Sequence, residues 1–166
     1  KAITNGLLDF SRVRAGERIA TDLGEVLKAA ANLIIHQKRG ERIEFKVEVA
    51  DDLPPVTADA GQIQQAVLAL ATNAIDAMPN GGTLELRVFP QDGRVVIEVS
   101  DTGIGIPPED MPKIFEPFFT TKEVGRGTGL GLAVCYGIIS DHGGRLNVRS
   151  KPRKGTTFSI YLPAAK

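Results

Sequence analysis

The sequence lacks most of the features that mark secreted, membrane-spanning or nucleic-acid-binding proteins. Its single cysteine, Cys135, excludes an internal disulfide framework and fits a reducing compartment. Lys and Arg number 20 and so do Asp and Glu, so the basic excess of a general nucleic-acid binder is missing. No apolar run approaches the roughly 20 residues that a membrane-spanning helix needs, and no secretory signal pattern opens the chain. We therefore expect a cytoplasmic segment that contacts neither nucleic acid nor membrane.

Two familiar nucleotide-binding loops are absent as well. No glycine is followed directly by lysine, which excludes a Walker A loop. The spacing of Gly127, Gly129 and Gly131 does not match the dinucleotide-binding or protein-kinase loop, because Leu130 and Leu132 occupy the third-glycine positions. With 42% hydrophobic and 24% charged residues, the 166-residue chain is nevertheless long enough and apolar enough to fold around one core.

Sequence periodicity predicts helices and hairpin strands. Apolar residues at helical spacing predict helices over 23–39, 60–78 and 129–142, with a short one over 109–114. Alternation of apolar and polar residues predicts strands over 18–22, 43–49, 83–89, 94–100, 144–150 and 156–162, whereas 53–55 reads as a connector. Because the order is not an alternation of β-α-β units, we expect an α+β two-layer sandwich with one sheet and helices on one face.

The polar side of the helix over 60–78 carries the first candidate site. Asn73 and Asp76 lie three residues apart, so their side chains project in neighbouring directions. A carboxamide oxygen is a hard neutral ligand that suits Mg²⁺, which also takes phosphate oxygens. The alternative use of Asn73 is to satisfy backbone groups inside the core.

Asp101 follows an apolar strand and precedes Gly103 and Gly105. Glycines let the backbone approach a flat ligand without Cβ clashes. A carboxylate in this position can accept a hydrogen bond from the exocyclic amine of adenine. The alternative is an ordinary aspartate turn before a loop.

The third candidate site is the glycine loop over 125–132, which opens the helix over 129–142. Backbone N–H groups at a helix start favour phosphate, and the alternative is a flexible hinge. The loop from Phe118 to Arg126 is a candidate lid over a nucleotide. Lys122 and Arg126 would then meet phosphate charge, unless they are solvated surface charges.

In this order the motifs resemble the catalytic ATP-binding domain of two-component sensor histidine kinases, over roughly residues 17–163. The Phe-Phe-Thr-Thr-Lys segment is similar to that of the nitrogen-regulation-type subgroup. The resemblance implies a Bergerat ATP-binding fold, which is a two-layer α/β sandwich with a mixed, mostly antiparallel sheet, shared with gyrase, Hsp90 and MutL ATPases. The segments that carry it are 73–77 (N box), 101–107 (G1 box), 115–122 (F box), 125–132 (G2 box) and 155–158 (final glycine box).

The same resemblance implies ATP and Mg²⁺ as ligands, with Asn73 on the metal and Asp101 on the adenine. The other positions that it places at the nucleotide pocket or its lid are Asp76, Gly103, Gly105, Ile106, Phe118, Lys122, Arg126, Gly127, Thr128, Gly129, Leu130, Gly131, Leu132 and Thr156. It implies no catalytic residue within the chain, because these kinases phosphorylate a histidine of a helical dimerisation domain. Neither His36 nor His142 stands in that context, and we expect both to be structural.

One position departs from the family pattern. The family commonly has a second Asn four residues before the metal ligand, and its hydrolytic relatives have Glu there as a general base. This chain has Ala69, and a methyl group cannot activate water. The departure favours phosphoryl transfer, in which positioning and metal charge dominate, over efficient ATP hydrolysis. The alternative consequence of Ala69 is weaker metal binding.

The start of the chain indicates a piece of a longer protein. Residues 1–16 resemble the C-terminal end of a helical dimerisation and phosphoacceptor domain, and residues 17–166 the catalytic ATP-binding domain. The acceptor histidine is therefore expected upstream of Lys1. The expected partners are this dimerisation domain, in a homodimeric full-length protein, and the receiver domain of a response regulator.

The sequence thus predicts a histidine kinase catalytic domain that binds Mg-ATP and donates its γ-phosphoryl group to a histidine on a separate domain. An ATPase or serine kinase of the same fold is an alternative, which steady ATP turnover by this chain would favour. Asp101-Thr102-Gly103 also matches the aspartic protease motif, although one copy supplies only one of the two carboxylates required. A non-catalytic docking module would bind no nucleotide at all.

Overall fold

The computed structural model describes residues 18–37, 42–116 and 131–165. The helix end predicted for 1–15 and the loop over 117–130 lie outside these residues. Strands β1 to β7 are Ile19–Thr21, Ile43–Val49, Val56–Ala58, Gly82–Gln91, Arg94–Asp101, Arg145–Lys151 and Gly155–Pro163. Helices α1 to α3 are Leu23–Gln37, Ala60–Asp76 and Gly131–Asp141, and a 3-10 helix covers Pro108–Lys113.

Five strands form one sheet in the order β2-β4-β5-β7-β6. β2 runs parallel to β4, and all other neighbours are antiparallel. At the turn between β4 and β5, Asp92 and Gly93 have φ angles of 52° and 77°. Two consecutive left-handed residues suit the tight hairpin that the Asp-Gly pair indicates. The predicted mixed, mostly antiparallel sheet is confirmed.

The structure adds a strand, β3, directly after the predicted connector over 53–55, which is confirmed as irregular chain. β1 and β3 form a separate antiparallel pair, with Ile19 opposite Ala58 and Thr21 opposite Val56. The Thr21 hydroxyl reinforces this pair by donating to the Ala58 carbonyl at 3.0 Å. Three residues are too few to show a period-2 pattern, so the sequence predicts no strand over 56–58.

The fold has two layers because the strands of the large sheet bury one face under the helices. The buried, core-facing residues of β4 and β5 are Leu84, Leu86, Val88, Val95, Ile97 and Val99. Helix α2 packs against α1, α3, β4 and β5. Its predicted apolar stripe is buried throughout, at Ile63, Ala66, Val67, Leu70, Ala74, Ile75 and Met78. The predicted α+β sandwich is therefore confirmed.

Asp59 and His142 join the start of α2 to the end of α3. Oδ1 of Asp59 caps α2 by accepting from the Gln62 backbone N–H at 3.2 Å. The Asp59 N–H donates to Nε2 of His142 at 3.1 Å, and Nδ1 of His142 lies 2.9 Å from the Ile138 carbonyl oxygen. His142 is buried and bonded on both ring nitrogens. Its predicted structural role is confirmed.

Asp59→Ala is expected to lower the free energy of unfolding by about 1 kcal/mol, because the Gln62 N–H loses its capping acceptor. Asp59→Asn keeps a capping oxygen and is expected to lose less. Urea unfolding of both variants measures the difference. Equal losses in the two variants would show that Asp59 contributes something other than the cap.

Candidate functional site

Three neighbouring strands place a polar residue at the same end of the large sheet. β5 ends at Asp101, β7 begins with Gly155 and Thr156, and β6 reaches Ser150 one residue before its end. The pairing sets Asp101 opposite Thr156 and Thr156 opposite Ser150. In each strand the polar residue takes a core-facing position that the alternation otherwise fills with apolar side chains. The result is a polar row, Asp101–Thr156–Ser150, at the edge of the apolar core.

Asp101 is the buried charged member of this polar row, at 8% exposure. Its Oδ1 accepts two backbone hydrogen bonds, from Gly103 N–H at 2.8 Å and from Thr156 N–H at 3.2 Å. Its Oδ2 has no hydrogen-bond partner within the described part of the chain. Burial raises the pKa of this carboxyl, and the two N–H donors partly oppose the rise. The carboxyl group is thus held by one oxygen and can accept a ligand donor with the other.

Ser150 connects the polar row to the loop after Asp101. Its Oγ accepts from the Ile106 N–H at 2.8 Å, donates to the Gly155 carbonyl at 3.1 Å and lies 2.8 Å from Thr156 Oγ1. Ser150 lies outside the motifs that predict the site. The signal is a polar residue that follows Leu146 and Val148 at the core-facing spacing, just as Asp101 follows its apolar strand.

The C-terminal end of α2 meets the loop after Asp101. The Ala77 carbonyl accepts from the Ile104 N–H at 3.0 Å, and a Cβ at Gly103 would collide with the same carbonyl. Asn73 lies one turn earlier and is half-buried, and Asp76 is exposed. The structure therefore brings Asn73 and Asp76 to the end of the sheet that carries the polar row.

Gly105 is held by the turn between β6 and β7. Its φ is 76°, and a Cβ there would collide with the Lys151 carbonyl. The adjacent Ile104 carbonyl accepts from the Arg153 N–H at 2.6 Å. At Gly103 and Gly105 the glycine requirement therefore comes from the protein's own backbone and not, as predicted from the sequence, from the approach of a ligand.

Helix α3 begins beside α2. A Cβ built on Gly131 would lie 3.9 Å from the Cβ of Ala69, the position four residues before Asn73. Leu132 is half-buried against the core, and Cys135 is fully buried. Burial raises the pKa of the Cys135 thiol to about 12, as is typical of a small core residue.

Nine of the predicted site residues belong to the described ranges: Asn73, Asp76, Asp101, Gly103, Gly105, Ile106, Gly131, Leu132 and Thr156. The others lie outside them: Phe118, Lys122, Arg126, Gly127, Thr128, Gly129 and Leu130. Across 18–37, 42–116 and 131–165, no group of three or more His, Cys, Asp or Glu side chains could hold a metal ion. Within the same ranges, no helix is long and apolar enough to span a membrane.

Known proteins resemble this chain in sequence. Residues 58–166 match the family described as histidine kinase-, DNA gyrase B- and HSP90-like ATPase. Sensor kinase CckA of Brucella abortus (strain 2308) is 45% identical over 98% of this chain. The chain spans only 19% of the length of that relative.

Solved structures resemble it in fold. The catalytic domain of histidine kinase ThkA, in a nucleotide-free form, has a TM-score of 0.78 at 32% identity, with 89% of this chain and 98% of that one covered. Histidine kinase ThkA was also solved in complex with the response regulator TrrA, with a TM-score of 0.78 at 28% identity, over 99% of this chain and 47% of that one.

Full-length ShkA in complex with AMPPNP has a TM-score of 0.83 at 30% identity, over 99% of this chain and 36% of that one. The family match covers most of the chain, and the ThkA domain is covered almost completely. This chain therefore belongs to the histidine kinase-, DNA gyrase B- and HSP90-like ATPase family, and its place there is with the catalytic domains of histidine kinases.

Proposed function

We propose that this chain binds Mg-ATP beside the polar row and presents the γ-phosphate to a histidine on a separate dimerisation domain. The observation that carries the proposal is Asp101, a buried carboxyl group whose Oδ2 has no partner among the described residues. Oδ2 is not among the fully buried unpartnered atoms of the described residues, so a ligand donor can reach it. The structure of ShkA with AMPPNP supports a nucleotide as that ligand.

Adenine fits this acceptor by its chemistry. An ionised carboxylate only accepts hydrogen bonds, so Oδ2 of Asp101 suits the exocyclic amine of adenine. Guanine carries a carbonyl oxygen at the same position. That oxygen and Oδ2 of Asp101 are both acceptors, so they would oppose each other. The Oδ1 bonds to Gly103 and Thr156 hold the carboxylate plane in place before the base arrives. Asp101 thus gives the pocket a preference for adenine over guanine.

Asn73 is our proposed Mg²⁺ ligand. Asn73 is half-buried on the last turn of α2, one turn before Ala77, whose carbonyl accepts from the loop that follows Asp101. A neutral carboxamide oxygen leaves room for phosphate oxygens and water as co-ligands. A bound Mg²⁺ would neutralise phosphate charge. The role of this chain is then to place the nucleotide, with Gly127, Gly129 and Gly131 as proposed phosphate neighbours.

Ala69 favours transfer of the phosphoryl group to a partner over hydrolysis. It is half-buried on α2, one turn before Asn73, and its methyl group has no proton to exchange. The start of α3 lies close to this position, at Gly131. No general base therefore stands on α2 where an attacking water would need one.

The partners of this function lie outside the chain. The complex of ThkA with TrrA supports a response regulator as the final phosphate acceptor. We propose that residues 1–16 end a helical dimerisation domain, that residues 17–166 form the catalytic domain, and that the full-length protein is a homodimer. We also propose that this domain lies in the cytoplasm. Its membership of the nitrogen-regulation-type subgroup stays a prediction.

Asn73→Ala is expected to weaken ATP binding in the presence of Mg²⁺ by about tenfold, the value of one hydrogen bond or ligand to a charged group. Binding of ADP in the presence of a chelator should stay unchanged, because the adenine contacts remain. Titration calorimetry with and without Mg²⁺ measures both affinities. Asn80→Ala, at an exposed turn, is the matched control. A loss of the same size without Mg²⁺ would remove Asn73 from the metal site.

A further inference from the structure

Ser150 has three hydrogen-bond partners, and the proposed function uses none of them. The partners are the Ile106 N–H, the Gly155 carbonyl and the Thr156 hydroxyl. Ser150 is half-buried and Thr156 is 5% exposed, so bulk water has little access to reorient them. The Ser150 hydroxyl therefore connects the loop after Asp101 to strands β6 and β7, and we ask what this connection does.

The possible hydrogen positions are few. A serine hydroxyl has one hydrogen and two lone pairs, and the Ile106 N–H occupies one lone pair. If the Ser150 hydrogen goes to Gly155, Thr156 donates to Ser150 and shows only lone pairs to a ligand. If the Ser150 hydrogen goes to Thr156, the hydrogen of Thr156 is available to a ligand. Ser150 therefore determines whether Thr156 acts as a donor or as an acceptor.

The two arrangements suit different purines. Beside the amine, adenine carries the ring nitrogen N1, which accepts a hydrogen bond. Guanine carries an N1–H, which donates one. Thr156 is the direct strand partner of Asp101 and donates its backbone N–H to that carboxylate, so its side chain lies on the same face of the sheet as the carboxylate that suits the amine. A Thr156 that donates matches N1 of adenine and opposes the N1–H of guanine.

We propose that Ser150 is a positioning residue for adenine specificity. In the nucleotide-bound state it donates to Thr156, and Thr156 donates to N1 of the base alongside the amine that Asp101 accepts. The donors form a chain from the Ile106 N–H through Ser150 to Thr156, in which each hydrogen bond polarises the next. This inference rests on the proposed function, because it needs adenine beside Asp101.

The test compares ADP with 1-deaza-ADP, in which a carbon replaces the ring nitrogen N1, by titration calorimetry on the 166-residue chain. The wild-type chain should bind the analogue about threefold to tenfold more weakly, as expected for one lost hydrogen bond. Ser150→Ala should weaken ADP by less than this factor, because Thr156 keeps its own hydrogen and loses only the donor that orients it. It should change the analogue by still less, because the contact that Ser150 supports is already absent. Ser140→Ala, exposed on α3, should change neither affinity.

A serine that only stabilises the fold would weaken both ligands by the same factor, and this result would overturn the proposal. Thr156→Val keeps the side-chain shape and removes the hydroxyl, so it should reproduce the pattern even if Ser150→Ala does not fold. Equal losses for both ligands in Thr156→Val would also overturn it. A folded wild-type chain that binds neither ligand would instead refute the proposed function, so the two failures are distinguishable.

Discussion

Asp101→Asn is expected to weaken adenine nucleotide binding by about tenfold to a hundredfold, which corresponds to one hydrogen bond to a charged group. The substitution keeps the shape of the side chain, and the amide oxygen can still accept from Gly103 and Thr156. An NH₂ group then replaces Oδ2 and faces the donor amine of the base. The NH₂ group and the amine of the base are both donors, so the loss of nucleotide affinity exceeds the loss expected from removing the acceptor alone.

The same substitution is expected to stabilise the nucleotide-free protein near neutral pH. Burial raises the pKa of Asp101 in the folded state above its unfolded value. The folded chain therefore holds the proton more tightly, and the stability that this group contributes is present below the unfolded pKa and lost as pH rises through the folded pKa. Asparagine carries no charge to bury and avoids this loss.

Calorimetry for nucleotide affinity and thermal unfolding as a function of pH measure the two effects of Asp101→Asn. The stability gain over wild type should be larger at about pH 8 than at about pH 4, because the buried carboxyl is more fully ionised at the higher pH. Nucleotide affinity of the wild type should fall as pH drops through the raised pKa. Asp51→Asn, at an exposed position, is the control. An unchanged affinity in Asp101→Asn would remove this residue from the pocket.

Gly155→Ala is expected to lower the free energy of unfolding by about 3–5 kcal/mol, near the upper end of single substitutions. Gly155 has a φ of 117°, and a Cβ there would collide with the Asp101 carbonyl and lie 3.0 Å from the Thr102 Cα. Both obstacles are backbone atoms at the end of β5, which pairs with β7 at this point. They cannot move without opening the sheet beside the polar row.

Gly143→Ala separates backbone strain from collision. Its φ of 73° is also left-handed, but a Cβ there would meet no heavy atom within 4 Å. We expect a loss of about 1–3 kcal/mol, from backbone strain alone. Urea unfolding of the two variants measures both. An equal loss of unfolding free energy in both variants would show that the Asp101 carbonyl can move away from the new Cβ. It would also show that β5 and β7 are not held rigidly against each other at Gly155.

The elements with a clear period could be predicted from the sequence, and those without one could not. The stripe on α2 repeats along a 17-residue helix, so its buried face and the polar face with Asn73 follow directly. β3 has three residues and no period of its own, and its pairing with β1 depends on a partner far away in the chain.

The candidate site shows the same division. The residue types of Asp101 and Asn73 suggest their chemistry without a structure. Ser150 could not be predicted from the sequence, because its contacts with Ile106 and Thr156 depend on the register of the paired strands. The glycine requirement at Gly103 is predicted, but its cause, the nearby Ala77 carbonyl, is visible only when α2 and the loop are placed together.

A crystal structure of this chain with Mg²⁺ and AMPPNP tests most directly whether the end of the sheet between α2 and the polar row is the nucleotide pocket. We expect the exocyclic amine of the base within hydrogen-bonding distance of Oδ2 of Asp101 and the metal ion on the side-chain oxygen of Asn73. A nucleotide bound elsewhere, with both of these atoms left to water, would contradict the proposed function.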